Sequence, residues 1–288
     1  MASTYEERSW QSADGLELYF RDYAGPKGYD GPPVLCMHGL TRNSRDFADL
    51  AEHIAATRRV IVPEMRGRGE SAYASESASY NPSQYVEDVE KLLAEEGIDR
   101  FISIGTSMGG LMTMMLAAAK PGRIAGVVMN DIGPAIETAG LERIGTYVGQ
   151  GRSYPTWVHA ARSLRMTHGE AFPDYDLDQW LAMAKRNLCV NQNGRIGYDY
   201  DMAIAEPFKE PDGAAPADLW PAFDALAGVP MLLVRGALSD LLSPQTVAEM
   251  QRRNPTMNVV TIPRVGHAPT LDEPEARAAI DDLLARVS

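Results

Sequence analysis

The sequence predicts an α/β domain: a mostly parallel sheet with helices on both faces, interrupted once by a helical insertion. Three observations carry that reading. Along most of the 288 residues, short apolar runs alternate with amphipathic stretches of helical spacing. The alternation stops after Pro134 and resumes at Pro230. Between one apolar run and the helix after it, the chain reads Gly105-Thr106-Ser107-Met108-Gly109, a sharp turn centred on a serine.

Taken in order, residues 16–24 follow the Asp14-Gly15 turn and alternate like a strand. The link "GPKGYDGPP" leads into residues 34–39, a continuous apolar run suited to a strand buried on both faces. "SRDFADLAEHIAA" sets Phe47, Leu50, Ile54 and Ala55 at helical intervals. "RRVIVPEM" returns to strand character, and "NPSQYVEDVEKLLAEEG" is a helix with Pro82 near its start and Gly97 at its end. "FISIG", "LMTMMLAAAK" and "IAGVVMNDIG" then read strand, helix, strand. From residue 135 to 216 the pieces are helix-like, rich in Met, Tyr and Trp, with no good strand. "PMLLVRG", a helix from Pro244, "MNVVTIPR" and a helix from Pro274 complete the old pattern, and "EPDGAAPAD" reads as the linker back to it. The expected organisation is a core of residues 1–134 and 217–288 carrying a helical cap, or lid, of residues 135–216.

Composition narrows the class of partner. Hydrophobic residues make up 45% and charged residues 23%, ordinary for a soluble globular protein. A net charge of −12 argues against nucleic acid and anionic membranes as partners, although it says little about any one pocket. "MASTYEERSWQSADG" lacks the basic start and apolar run of a secretory peptide, and no apolar run approaches the roughly 20 residues of a membrane helix. The two cysteines, Cys36 and Cys189, form no disulfide framework, and Cys36 lies in an apolar run that suits a core residue. The expectation is a cytoplasmic monomer or homodimer acting on a small ester-type molecule.

The chemistry starts at Ser107. A turn this tight crowds its neighbours, so glycine is needed two residues to either side, and the hydroxyl projects beyond the carboxyl end of the sheet. A serine hydroxyl attacks only when a base takes its proton. Of the five histidines, His267 in "VGHAPTLDEP" follows the last strand and is the expected base. The base in turn needs an acid to set its tautomer. Asp240 in "VRGALSDLLS" is favoured, with Asp131 in "MNDIG" the competitor, because each follows a core strand. The backbone N–H groups of Met108 and of Leu40, in "HGLTRNSRDF", are the candidate donors to an oxyanion. There is no phosphate-binding loop, dinucleotide fingerprint, His-Glu-x-x-His or CxxC pair, so neither cofactor nor metal is expected.

The order Ser107, Asp240, His267, with "HGLT", "RGRGES", "GTSMGG" and "GHAPTLDEP", resembles the α/β-hydrolase fold family, in its carboxylesterase-like serine hydrolase branch. The likeness runs from about Leu16 to the C-terminus. It implies an eight-stranded, mostly parallel sheet with a helical cap after the sixth strand, and the Ser-His-Asp roles just argued. Glu64 departs from the family's usual Asp at the head of the "RGRGES" loop. Serine at the elbow, where haloalkane dehalogenases and epoxide hydrolases carry Asp, points to esters, lactones, thioesters or carbon–carbon cleavage. The meta-cleavage carbon–carbon hydrolases usually read His-Gly-x-Gly-Pro-Gly, unlike His38-Gly39-Leu40-Thr41 here. An acyltransferase or perhydrolase using the same triad, and a non-enzymatic ligand receptor, are the remaining alternatives. The expected activity is hydrolysis of small to medium esters with apolar acyl or aromatic groups. His38, Arg42, Tyr147, Trp157 and Trp180 are the candidate pocket residues, with Tyr154, Met183 and Tyr198 as further aromatic or apolar wall.

Overall fold

The computed structural model describes residues 4–206 and 218–287. Strands β1 (Glu6–Gln11), β2 (Glu17–Tyr23), β3 (Val34–Met37), β4 (Val60–Pro63), β5 (Phe101–Thr106) and β6 (Ile124–Asn130) precede the insertion. The insertion holds β7 (Ser153–Tyr154), β8 (Leu188–Val190) and β9 (Ile196–Tyr198), and β10 (Met231–Gly236) and β11 (Asn258–Ile262) follow it. The core helices are α1 (Ala48–Ala55), α2 (Pro82–Glu95) and α3 (Met108–Ala119). Helices α4 (Thr138–Tyr147), α5 (Trp157–His168) and α6 (Leu177–Asn187) belong to the insertion, and α7 (Trp220–Asp224), α8 (Pro244–Arg253) and α9 (Pro274–Ala285) come after it.

Eight strands make one sheet in the order β1-β2-β4-β3-β5-β6-β10-β11. The pairs β1–β2 and β2–β4 are antiparallel, and every later neighbour pair is parallel. The central strands read as unbroken apolar runs because both faces are covered, and alternate residues serve alternate faces. Leu35 and Met37 of β3 join Met112 and Leu116 of α3 and Val89 of α2 on one side. Val34 and Cys36 join Leu50 and Ile54 of α1 and Ile280 and Leu283 of α9 on the other. Helix starts follow local signals: Asn81 caps α2 by accepting from the Gln84 N–H at 3.0 Å, with Pro82 as its first residue.

One strand lies where the sequence shows no signal, and one expectation needs correcting. Strand β1 lies in the polar N-terminal stretch, which carries no strand signal because this is an edge strand with only Trp10 buried, against Phe20. The insertion, expected to have no strand, folds its turns into a three-stranded antiparallel sheet, β7-β9-β8. These strands span two or three residues, too short to show a period. The linker expected at "EPDGAAPAD" lies outside the described residues apart from Asp218. Among the described residues, no helix is long and apolar enough to cross a membrane.

Ion pairs tie the insertion to the core. Arg45, just before α1, reaches Asp199 at 2.6 Å, and Arg186 of α6 reaches Asp272 at 2.6 Å. The Gly266 N–H, one residue before His267, donates to the Ala171 carbonyl at 2.6 Å.

Candidate active site

Ser107 sits between β5 and α3 with φ 52° and ψ −115°, a left-handed conformation that is strained for a side-chain-bearing residue. The flanking glycines are required by contact. A β-carbon on Gly105 would lie 2.5 Å from the Gly109 carbonyl carbon, and one on Gly109 would lie 2.0 Å from the Met37 carbonyl oxygen. The turn therefore packs backbone on backbone and leaves the hydroxyl as the group that projects.

The Ser107 hydroxyl meets His267 Nε2 at 2.9 Å, and His267 Nδ1 meets Asp131 Oδ2 at 2.8 Å. A carboxylate only accepts, so Nδ1 carries the ring proton and Nε2 faces the hydroxyl as acceptor. Asp131 follows β6 with φ 53° and is wholly buried. Its Oδ1 accepts from the Gly236 N–H at 2.8 Å, and its Oδ2 accepts from the Ser239 hydroxyl at 2.6 Å.

This corrects the expected acid. Asp240, at the matching strand end, turns outward to Arg143 of α4, with Nη2 to Oδ1 at 2.9 Å and Nε on Oδ2. Partial burial pushes the Asp240 pKa up, but the hydrogen bonds and charge of Arg143 hold it below its ordinary value. Asp131 prevails because the inward-facing position offers the imidazole N–H together with two further donors.

Of the two N–H groups expected to meet an oxyanion, that of Met108 belongs to the first residue of α3 and has no partner within the helix. Leu40 borders the same cavity as Ser107. Its carbonyl accepts from Arg68 Nε at 3.0 Å, which ties down the peptide after it, and the Gly39 carbonyl of its own peptide accepts from His38 Nδ1 at 2.7 Å. Buried Glu64 pins the neighbouring loops, accepting from the Ser44 N–H at 3.0 Å and hydroxyl at 2.6 Å and from the Glu70 N–H at 2.6 Å. The resemblance implies a structural role for the "RGRGES" loop headed by Glu64, and the contacts of Glu64 and Arg68 are of that kind; the individual contact of Arg68 was not anticipated.

A cavity of about 70 Å³ opens beside Ser107, bordered by Arg42, Tyr147, His168, Tyr198, Tyr200 and His267. Of the expected pocket residues, Arg42 and Tyr147 line it, and three do not. His38 is fully buried and serves the loops, with Nδ1 donating to the Gly39 carbonyl at 2.7 Å and Nε2 accepting from the Met65 N–H at 3.1 Å. Burial pushes its pKa down to about 3, so it stays neutral. Trp180 is 1% exposed and packs on Phe172 and Tyr175. Trp157, partly buried, packs against the same apolar cluster.

Among the further wall candidates, Tyr198 borders the cavity, and Tyr154 instead pairs its hydroxyl with Ser163 at 2.9 Å. Met183 lines a second cavity of about 220 Å³, which shares Arg42, Asp46 and Thr270 with the first. His168, at the end of α5, was not anticipated. It stacks edge-on to Tyr147 with ring centroids 4.9 Å apart, and its pKa is pushed down to about 3 by burial and then by the charges of Arg42 and Arg143. The cavity wall is thus mixed: Ile144, Leu164 and the tyrosines give it apolar and aromatic surface, and Arg42, Asp46 and His168 give it polar groups.

Comparison with known proteins agrees with this arrangement at the level of family. The model of the alpha/beta hydrolase family matches residues 34–280. A crystal structure of an alpha/beta hydrolase from Novosphingobium aromaticivorans superposes with a TM-score of 0.95 at 57% identity, covering 100% of both chains. The 3-hydroxybutyrate-oligomer hydrolase of Cupriavidus necator is 37% identical over 248 residues, 84% of each chain. The 2-(acetamidomethylene)succinate hydrolase of Mesorhizobium japonicum is 26% identical over 237 residues, 82% of each chain.

Proposed function

The chain belongs to the α/β hydrolase family, and on that premise we propose that it is a serine hydrolase cleaving small carboxylic esters of short hydroxy acids through an acyl-enzyme. One observation carries the reading: the unbroken hydrogen-bond chain from the Ser107 hydroxyl through His267 to Asp131. It is the arrangement a hydroxyl needs to become a nucleophile near neutral pH.

As Ser107 Oγ bonds to the ester carbonyl carbon, its proton passes to His267 Nε2, and the imidazolium is stabilised by Asp131. The N–H groups of Leu40 and Met108 receive the oxyanion. The carbon–oxygen bond to the alcohol then breaks, and His267 returns the proton to the leaving oxygen. Water repeats the sequence on the acyl-enzyme, releasing the acid and restoring Ser107.

The substrate class rests on two supports. The relative from Cupriavidus necator is a 3-hydroxybutyrate-oligomer hydrolase, and the cavity is small, with tyrosines, an arginine and a neutral histidine set among apolar residues such as Ile144 and Leu164. Such a lining suits short polar acyl units better than long alkyl chains. Ser107→Ala is expected to lower hydrolysis of p-nitrophenyl acetate and of the 3-hydroxybutyrate dimer by at least ~1,000-fold, leaving residual catalysis from binding alone. Wild-type rates in that variant would overturn the assignment.

A further inference from the structure

Building on the ester-hydrolase reading, we propose that Arg42 is the carboxylate-binding group of this site, so that the preferred substrate is an ester bearing a free carboxylate a few bonds from the scissile carbonyl. Arg42 lies in the loop after β3, three residues beyond Gly39. A β-carbon placed on Gly39 would lie 3.5 Å from Arg42 Cγ and 3.7 Å from Ser107 Cβ. The arginine stem and the nucleophile thus flank the same small space, and Arg42 borders both cavities.

Its hydrogen bonding is one-sided. Nη1 donates to Asn187 Oδ1 at 2.9 Å and, at longer range, to Asp46 Oδ1 at 3.3 Å. Among the described residues, Nε and Nη2 have no partner, although the side chain is only 23% exposed. That free edge is the fork that accepts a carboxylate bidentately. Asn187 orients the fork without cancelling its charge. Among the described residues, Asp46 is the one acidic side chain bordering the Ser107 cavity, and it pairs with Arg42 through one contact of 3.3 Å; the second cavity adds Asp272 together with Arg186. The charges that act most on His168, across the cavity, are those of Arg42 and Arg143, and Arg143 is itself clasped by Asp240. In a chain with a net charge of −12, an inward-facing cation with an open edge calls for an anionic ligand.

In an oligoester of hydroxy acids, a carboxylate on Arg42 brings the terminal ester linkage to Ser107. The alcohol that leaves is then the carboxylate-bearing hydroxy acid, which departs with the proton from His267. Oligomers are shortened one unit at a time from the carboxylate end.

The test compares the 3-hydroxybutyrate dimer as free acid with its methyl ester at low salt. Wild type is expected to favour the acid by roughly 10–100-fold in kcat/KM, mainly through KM, the range set by a charge-assisted hydrogen-bonded pair. Arg42→Gln should collapse that ratio by at least ~10-fold, and Arg42→Lys should restore part of it. Independently of any variant, 3-hydroxybutyrate should inhibit p-nitrophenyl acetate hydrolysis by wild type at least ~10-fold more strongly than 3-hydroxybutyramide. Equal treatment of acid and methyl ester by wild type overturns the role of Arg42 while the ester reading stands. So does an Arg42→Gln loss that falls equally on both substrates. If wild type hydrolyses neither the dimers nor p-nitrophenyl acetate, both readings fall.

Discussion

The carboxyl edge of the sheet and the insertion over it are held in place on different terms. At the edge, positions follow from contact: backbone meets backbone at Gly105 and Gly109, and the Asp131 carboxylate is wholly buried with its acceptors occupied. The insertion combines close contacts of its own, such as Gly140 against the Asp240 carbonyl, with ion pairs at its rim such as Arg186–Asp272, whose side chains are 20% and 32% exposed. It contributes the tyrosines and His168 to the cavity wall and none of the groups in the Ser107–His267–Asp131 chain. The difference teaches where to look for each property: the reacting groups all come from the edge, whereas the cavity wall is shared between the edge loop of Arg42 and the insertion.

The strongest way to break this comparison is to exchange the two aspartates' importance. Asp131→Asn keeps the shape but reverses the polarity facing His267 Nδ1, and it is expected to lower kcat by about 10³–10⁴-fold. Asp240→Asn removes only the partner of Arg143, so a change below about 3-fold is expected, as for a partly exposed ion pair. Steady-state kinetics on p-nitrophenyl acetate decide between them. A large loss in Asp240→Asn with little in Asp131→Asn would return the acid to the strand end after β10.

That pair also shows how far the sequence can be read. The central strands and the elbow were legible because they depend on local pattern: continuous apolar runs in β3, β5, β6 and β10, and glycines at fixed offsets from Ser107. His267 was legible from its place after the last strand. The acid was not, because Asp131 and Asp240 both follow a core strand and Arg143, 97 residues from Asp240, decides which is diverted. Aromatic residues in amphipathic helices were ambiguous for a similar reason. An apolar side chain signals burial, and burial in the core at Trp180 carries the same pattern as a cavity wall at Tyr147. Arg68 was opaque because its contact with the Leu40 carbonyl exists only once two separate loops meet.

A smaller effect sharpens the contrast through pH. His38 at the edge and His168 in the insertion both have pKa values pushed from 6.5 to about 3, mainly by burial. Below pH 6.5 the unfolded chain binds protons that these folded residues refuse, so their share of stability is lost as pH falls toward 3. Each fully excluded histidine steepens that fall by up to about 1.4 kcal/mol per pH unit. His38 is 0% exposed, so His38→Gln should flatten the pH dependence of denaturant unfolding between pH 6.5 and 4 by nearly that amount. His168 borders the cavity and meets water there, so His168→Gln should flatten it less. Equal slopes in the two variants would mean that the insertion excludes solvent as completely as the core edge does.

The smallest expected effect lies at the rim. Arg186 donates to Asp272 and Asp49 from one nitrogen, and Asp49 is 65% exposed, so solvent screens much of the attraction. Arg186→Ala is therefore expected to cost no more than about 1 kcal/mol of global stability. Its more telling consequence is local. If the insertion is pinned by such contacts while the edge is packed by sterics, backbone amides of α5 and α6 should exchange faster in this variant and those of β5 and β6 should not. Hydrogen exchange that speeds up uniformly across both regions would show instead that the insertion and the sheet unfold as one unit.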